Sequence, residues 1–362
     1  MYKTFQYRIK DAKVKYKLRE KACAVNFVWN FCNETQKHAL KWGKKWVSNY
    51  DLDKLTAGSS KELGLHSQTI QSISEEYVTR RNQFNKSSLR WRSNKKSLPW
   101  IPFKVSGLRI NRETGETKYS GLEFNLWYSR PFQGEVKSGS ICADSSGRWF
   151  LNLVCKIPEV ELNLGPELCV GVDLGLKDLV TLSSGEKEAC PKFYRKSQSK
   201  IAKAQSKKRK CLVQKLHRKV RNQRRDFNHK LSHDLVNSFD AIFVGDVSSS
   251  RIIEKPNMAK SVLDAGWFQL KSFLRYKALA SGKLFMEVSE RYSTQTCSAC
   301  GCIPDSSPKG KSGLSIRNWI CSDCGAEHDR DINAANNILQ SGLRLLQNQI
   351  LVNSSIAGIP CL

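Results

Sequence analysis

An α/β domain with an inserted four-cysteine ribbon, preceded by a helical unit wrapped in β structure, is the fold class that this sequence predicts. Three features carry that expectation. Short apolar, β-branched runs at 168–175, 240–247 and 283–290 are separated by helical patterning, as in a sheet packed between helices. Cys297-Ser-Ala-Cys300 and Cys321-Ser-Asp-Cys324 stand twenty residues apart, a spacing that aims four sulfurs from two tight turns at one tetrahedral zinc ion. Seven of the nine tryptophans fall within the first 165 residues, which therefore differ in character from the rest.

The elements follow in order. Helical periodicity runs through roughly 17 to 50 and 66 to 85, and Phe124 to Ile157 alternates as strands do, with a Ser-Ser-Gly turn at 145–147. Ile157-Pro158-Glu159-Val160-Glu161, ending near Gly165-Pro166, reads as a boundary. Leu168 to Gly175 is a buried strand, and Lys177 to Ser183 returns beside it as a hairpin. Residues 192–230 hold sixteen lysines and arginines against one acid, Asp226. Leu212, Leu216 and Val220 supply only a narrow apolar stripe there, so the rest of this helix faces outward. A second strand, Asp240 to Val247, precedes a helix over Ser261 to Ser281, with Leu263, Trp267, Leu270 and Leu274 on one face and Gly282 as its stop. The third strand, Lys283 to Glu290, leads into the ribbon.

The net charge of +27 and an isoelectric point near 9.7 exceed what solubility requires and point to a polyanionic partner. Nucleic acid fits best. An anionic membrane is disfavoured, because no run of about eighteen apolar residues occurs and Met1-Tyr2-Lys3-Thr4-Phe5 opens no signal core. Thirteen cysteines, odd in number and mostly scattered singly, fit a reduced compartment, so a soluble, cytoplasmic protein is expected. Tyr77 to Arg112 contains no acid. Its cations Arg80, Arg81, Arg90, Arg92, Lys95 and Lys96 alternate with Phe84, Trp91 and Trp100, which suits phosphates and stacked bases. The basic helical stretch offers Lys207, Lys208, Arg209, Arg221, Arg224 and Arg225 to a phosphate backbone.

Asp173 closes a buried strand, where a carboxylate is costly unless paired or metal-bound. Further acids end other elements: Asp246, Glu287 and Glu290 beside the second and third strands, and Asp329 and Asp331 after the ribbon. Three carboxylates from distant segments are the ordinary means of holding two Mg²⁺ ions about 4 Å apart for in-line attack on a phosphodiester.

Gly171-Val172-Asp173-Leu174-Gly175, Thr294-Gln295-Thr296-Cys297-Ser298-Ala299-Cys300-Gly301 and Asp329-Arg330-Asp331-Ile332-Asn333-Ala334-Ala335-Asn336 resemble the TnpB family of transposon-encoded proteins, relatives of the compact type V CRISPR effectors. Ile356-Ala357-Gly358-Ile359-Pro360 has the same flavour. The likeness is specific over about 168 to 340 and rests on layout before that. It implies a split RNase H-like (RuvC) nuclease domain over 166–345 with the zinc ribbon, 293–328, inside it. Ahead of this it implies a wedge β-barrel with a helical recognition insert over 1–165, and a C-terminal tail follows at 346–362. The implied activity is RNA-guided DNA cleavage beside a short adjacent motif, with a guide RNA from the transposon end, double-stranded target DNA, structural Zn²⁺ and two catalytic Mg²⁺.

The resemblance assigns the first catalytic aspartate to Asp173 and the third to Asp331, with Asp329 as a neighbour. The usual second group, a glutamate ending the central strand, aligns with Gly245. Asp246 inherits that place only through a bulge, because successive strand side chains point to opposite faces. Glu290 can fill the space above Gly245 if the two strands are parallel neighbours, and Glu287, three positions earlier, faces away. Glu290 is therefore the expected ligand. Two other functions stay open: a cleavage-deficient RNA-guided DNA binder, favoured by Gly245, and a guide-free zinc-ribbon accessory protein of transposition.

Overall fold

In the first half of the chain, alternation of apolar and polar residues builds one antiparallel sheet. The computed structural model describes residues 1–43, 45–162, 165–247, 256–310 and 312–356, which divide into two compact units, Met1–Glu159 and Val160–Leu362. Strand β1 (Tyr2–Ile9) turns Phe5, Tyr7 and Ile9 inward. Helices α1 (Ala12–Gly43), α2 (Asn49–Leu55), α3 (Ser60–Leu63) and α4 (Ser67–Gln83) follow. Then come β2 (Trp100–Lys104), β3 (Leu108–Ile110), β4 (Glu116–Tyr119), β5 (Leu122–Trp127), β6 (Glu135–Ala143) and β7 (Trp149–Lys156). The strand order is β2-β6-β7-β1-β5-β4-β3. The edge strands β2 and β3 are joined through only Val105–Gly107, so the sheet must curl until its two edges meet. Helices α1 and α4 bury Leu18, Val25, Val28, Ile70, Ile73 and Tyr77 in the core shared with the sheet.

The second unit is a mixed sheet of β8 (Cys169–Asp173), β9 (Asp178–Leu182), β10 (Lys187–Ala189), β11 (Ala241–Gly245) and β12 (Leu284–Val288), in the order β10-β9-β8-β11-β12. Strands β8, β11 and β12 are parallel, and β9 returns antiparallel to β8. All five residues of β11 are buried, as expected of a parallel strand covered on both faces. The covers are α5 (Phe193–Ser206), α6 (Lys210–Ser238), α7 (Pro256–Ala265), α8 (Trp267–Ala280) and α9 (Arg330–Ile356). Alternation decides the faces: Val170, Val172, Ile242 and Val244 meet Leu235, Trp267, Leu270 and Leu274, whereas Ala241 and Phe243 meet Ile338 and Leu346 of α9.

Several expectations change. The helical stretch expected over 192–230 is two helices, α5 and α6, parted at Lys207–Arg209, where Lys208 takes a left-handed φ of 52°. The helix expected over 261–281 is broken at Gly266, whose φ of 69° is left-handed. That break turns Leu263 outward, 57% exposed, while Trp267, Leu270 and Leu274 stay buried. Along α6, Val220 is buried but Leu212 is exposed, so the first turns of this helix carry charge with almost no apolar face. Helix α9 continues past residue 345 to Ile356, and the 357–360 part of the Ile356–Pro360 segment lies outside the described residues. No described helix is long and apolar enough to cross a membrane.

Candidate active site

The acids gather because β8 and α9 are forced close together. A Cβ on Gly171 would lie 2.0 Å from the Ala335 carbonyl oxygen and 2.6 Å from the Leu339 amide nitrogen, so only glycine lets α9 lie directly on the strand. Asp173 shares a strand face with Gly171 and therefore points towards the start of α9. That start is fixed by Asp329, whose Oδ1 accepts from the amides of Asp331 (3.0 Å) and Ile332 (3.1 Å), the bonds of an N-cap. Burial opposes its ionisation, but Lys187 at 2.7 Å and these amides outweigh burial and hold the Asp329 carboxyl below its ordinary range. Asp329 is thus a capping residue, and Asp331 stands in the first turn beside Asp173.

Burial, then the charges of Asp331 and Glu290, push the Asp173 carboxyl up to about 7 against the pull of Arg330. Asp331 and Glu290 thus lie close enough for their charges to disfavour ionisation of Asp173. Asp331 is held by Arg317 of the ribbon, whose Nη1 reaches both carboxylate oxygens at 3.2 and 2.8 Å. Nothing in the spacing of the ribbon marked Arg317 in advance, since the contact requires the ribbon to fold back over α9.

Around the second group the geometry is specific. Strands β11 and β12 are parallel, with Gly245 opposite Val288. A Cβ on Gly245 would lie 2.9 Å from Glu290 Oε2 and 3.4 Å from Glu290 Cβ. The glutamate therefore occupies the space that a side chain at 245 would need. Burial first, and then the Asp246 charge, raise the Glu290 carboxyl above its usual range, with Lys271 opposing. Asp246 instead braces the turn, its amide donating to the Val288 carbonyl (2.8 Å) and its Oδ1 accepting from the Glu290 amide (3.2 Å). Glu287 lies opposite Val244, on the other face, and is paired with Lys271 at 2.7 Å and with Arg275 of α8.

The donor set is all carboxylate oxygen, which suits a hard cation such as Mg²⁺. Among the described residues the only group whose ligand atoms all lie within 4.8 Å of one another is the four cysteines. Asp173, Glu290 and Asp331 are coupled without being gathered that tightly, and Arg317 occupies the Asp331 oxygens. The thiols do fit zinc: Cys297–Cys324 and Cys300–Cys321 sulfur separations are 3.7 and 3.8 Å, against about 3.8 Å for a tetrahedron with 2.3 Å Zn–S bonds. His328 Nε2 lies 3.0 Å from the Cys297 sulfur, an outer contact of the kind that orients metal ligands. Cys302 stands outside the group. Asn333 and Asn337 of α9 donate to the Ser293 and Thr296 carbonyls, and the Ser298 amide donates to Asn333. The Asn-Ala-Ala run thus joins ribbon to helix, its alanines permitting the close approach to β8.

The basic residues separate into two kinds. Arg81 is 3% exposed and donates to Gln36 and to the Val47 carbonyl. Arg92 donates to Asn26 (2.6 Å) and the Leu98 carbonyl (2.8 Å) and stacks over Trp100 at 5.5 Å. Arg224 is committed to the buried Asp264 at 2.9 Å. All three were expected to meet nucleic acid; burial and pairing commit Arg81 and Arg224 to the fold, whereas Arg92 is half-buried and also lines the open cleft of Arg80, Arg90 and Trp91. Arg80, Arg90, Trp91 and Lys96 line an open cleft of about 760 Å³ with Phe84 and Trp100, and Lys95 is exposed nearby. Lys207, Lys208, Arg209, Arg221 and Arg225 are exposed on the α5–α6 hairpin.

Residues 152–254 match a family model described as probable transposase (OrfB_IS605), and 267–338 match one described as Cas12f1-like, TNB domain. A protein of Streptomyces pristinaespiralis named "Putative RNA-guided DNA endonuclease" is 30% identical over 316 residues, 83% of this chain and 75% of the relative. The TnpB-like protein L79 of Acanthamoeba polyphaga mimivirus is 31% identical over 243 residues, 60% of this chain and 45% of its own length. A solved structure of the mini-RNA-guided endonuclease CRISPR-Cas phi3 shares the fold, at a TM-score of 0.50 and 10% identity over 95% of this chain and 92% of that one. With these matches the chain belongs to the TnpB family.

Proposed function

We propose that the protein is an RNA-guided DNA endonuclease that cleaves one phosphodiester at a time at a RuvC-type site built by Asp173, Glu290 and Asp331. The observation that carries this reading is the filling of the space above Gly245 by Glu290, which offers a carboxylate where the strand itself supplies none. The mixed sheet with α9 across it supports an RNase H-like core, and the relatives' names support the guide and the DNA substrate. Bound there, a pair of Mg²⁺ ions would activate water and steady the leaving oxygen.

The chain's own part is to hold and to yield. Asp329 keeps the first turn of α9 in place, so that Asp331 faces Asp173. Asp246 fixes the turn that carries Glu290. Arg317 serves as the counter-ion of Asp331 and must give up that carboxylate for it to serve a cation. The cleft with Arg80, Arg90, Trp91 and Lys96, the neighbouring Lys95 and the hairpin cations Lys207, Lys208, Arg209, Arg221 and Arg225 would hold guide RNA and target duplex. A guide from the transposon end and a short adjacent motif in the target belong to the same proposal.

The test uses the full chain with its co-purifying RNA, Mg²⁺ and a duplex matching that RNA. Cutting that is lost in Glu290→Gln, with duplex binding retained, supports the assignment. Cutting lost in Asp246→Asn but kept in Glu290→Gln refutes it. Binding without cutting by the unaltered protein would instead mark an RNA-guided DNA binder, and absence of any discrete bound RNA would mark a guide-free accessory protein.

A further inference from the structure

Beside the acidic cluster the second unit contains a cavity of about 550 Å³ that the catalytic reading does not use. Its lining brings together Lys177 from the turn between β8 and β9, Lys192 and Arg195 from around the start of α5, Lys260 from α7 and Arg317 from the ribbon. One carboxylate, Asp264, also lines it. That acid is already neutralised, since it accepts from the amides of Tyr194 and Arg195 and pairs with Arg224. None of Lys177, Lys192, Arg195 and Lys260 has an ion-pair partner among the described residues. Arg317 is paired with Asp331, which leaves four uncompensated cations around one concave space; they repel each other unless an anion enters, and this surplus of like charge is the driving force for binding one.

The amides at the start of α5 are consumed by Asp264, so the side chains, not the helix terminus, would bind the anion. Lys192 adds a second sign of purpose. It sits at φ 51°, a left-handed backbone that is costly for a lysine, at the position preceding α5. Glycine or asparagine would adopt that conformation more cheaply but would bring no charge to the cavity. Arg317 places the cavity: the same side chain lines it and reaches Asp331 at 2.8 Å. Any anion bound there therefore lies one arginine away from the proposed cleavage site.

We infer that this cavity is a subsite for a backbone phosphate of the nucleic-acid strand that enters the acidic cluster, with Lys192, Lys260 and Arg195 as its ligands. The inference deepens the nuclease reading by naming what flanks the cleaved bond, and the strand phosphate contributes position rather than sequence readout. Arg317, shared between phosphate and Asp331, is then a positioning residue.

The test is lysine acylation footprinting of the full zinc-loaded chain with no divalent cation added, so that it does not depend on cleavage. A single-stranded oligothymidylate should slow acylation of Lys192 and Lys260 several-fold at low salt and leave Lys61 in the first unit unchanged. Inorganic phosphate at the same phosphate concentration should protect far less. Equal protection by inorganic phosphate would overturn the strand assignment in favour of a free anion, and no protection by the oligonucleotide would overturn the site. In a Lys192→Ala/Lys260→Ala chain, the salt dependence of oligothymidylate binding should flatten by about 0.7 in log–log slope for each phosphate that the chain no longer neutralises. An unchanged slope would also overturn it. A chain that never cuts DNA but shows the footprint would refute the nuclease and leave the subsite standing.

Discussion

Replacing Asp173 with Asn should make the protein more stable at alkaline pH while abolishing its proposed activity. Burial and the facing carboxylates raise the Asp173 pKa from 3.8 to about 7. At about 1.36 kcal/mol for each pH unit between those values, the ionised side chain costs the folded state about 4 kcal/mol. The sign follows from linkage: below pH 3.8 the group is protonated whether folded or not, and it costs nothing. From there to about 7 the folded state retains a proton that the unfolded chain has released, so stability falls as pH rises; above 7 the penalty is constant. Between pH 5 and pH 8 the wild-type chain should lose about 3 kcal/mol through this group, and Asp173→Asn should not. For a unit of this size that corresponds to a relative gain in melting temperature on the order of 5–10 °C for the variant. Thermal unfolding of both proteins at the two pH values, with zinc retained and no Mg²⁺, measures it. Added Mg²⁺ at pH 8 should raise the wild-type melting temperature and leave that of the variant nearly unchanged. Parallel pH dependence of the two proteins would refute the cluster as described.

Other outcomes follow from single contacts. Gly245→Ala places a methyl 2.9 Å from the Glu290 carboxylate and 3.3 Å from Ile338; it should displace the carboxylate and reduce cleavage at least tenfold (~1.4 kcal/mol), with unfolding changed little, as paired rate and denaturation measurements would show. Chelating zinc should unfold the ribbon and abolish cleavage together, because Asn333 and Asn337 anchor it to α9; circular dichroism with an activity assay would expose any chelated protein that still cuts. Arg81→Ala should destabilise the first unit by about 2 kcal/mol through the loss of its buried hydrogen bonds to the Gln36 oxygen and the Val47 carbonyl. Arg90→Ala should weaken RNA binding while leaving stability unchanged, and a melting curve beside a filter-binding curve separates the two.

How far the site was legible depended on which neighbours a residue meets. Asp173 and Asp331 lie in local runs whose composition already states their setting: a strand ending in an acid, and an acid-capped helix start. The four cysteines were legible for the same reason, since ligand spacing within a turn is a local property. Arg81 and Arg224 were not, because a basic residue in a basic stretch looks the same whether it faces water or a buried partner. Arg317 was invisible, its partner Asp331 being fixed only when the ribbon folds over α9. The break at Gly266 depended on a left-handed backbone that the apolar spacing on either side concealed.

By itself the sequence determined strands β8, β9, β11 and β12, the four-cysteine ribbon and the two aspartates that end β8 and open α9. Periodicity, turn chemistry and metal-ligand spacing act over a few residues and need no partner. Tertiary structure decided what stands above Gly245. Glu290 comes to that position because β12 pairs in parallel with β11 and Asp246 braces the turn beyond it. It also decided which cations serve the fold and which face an open cavity, since burial belongs to the packed chain and to no residue alone.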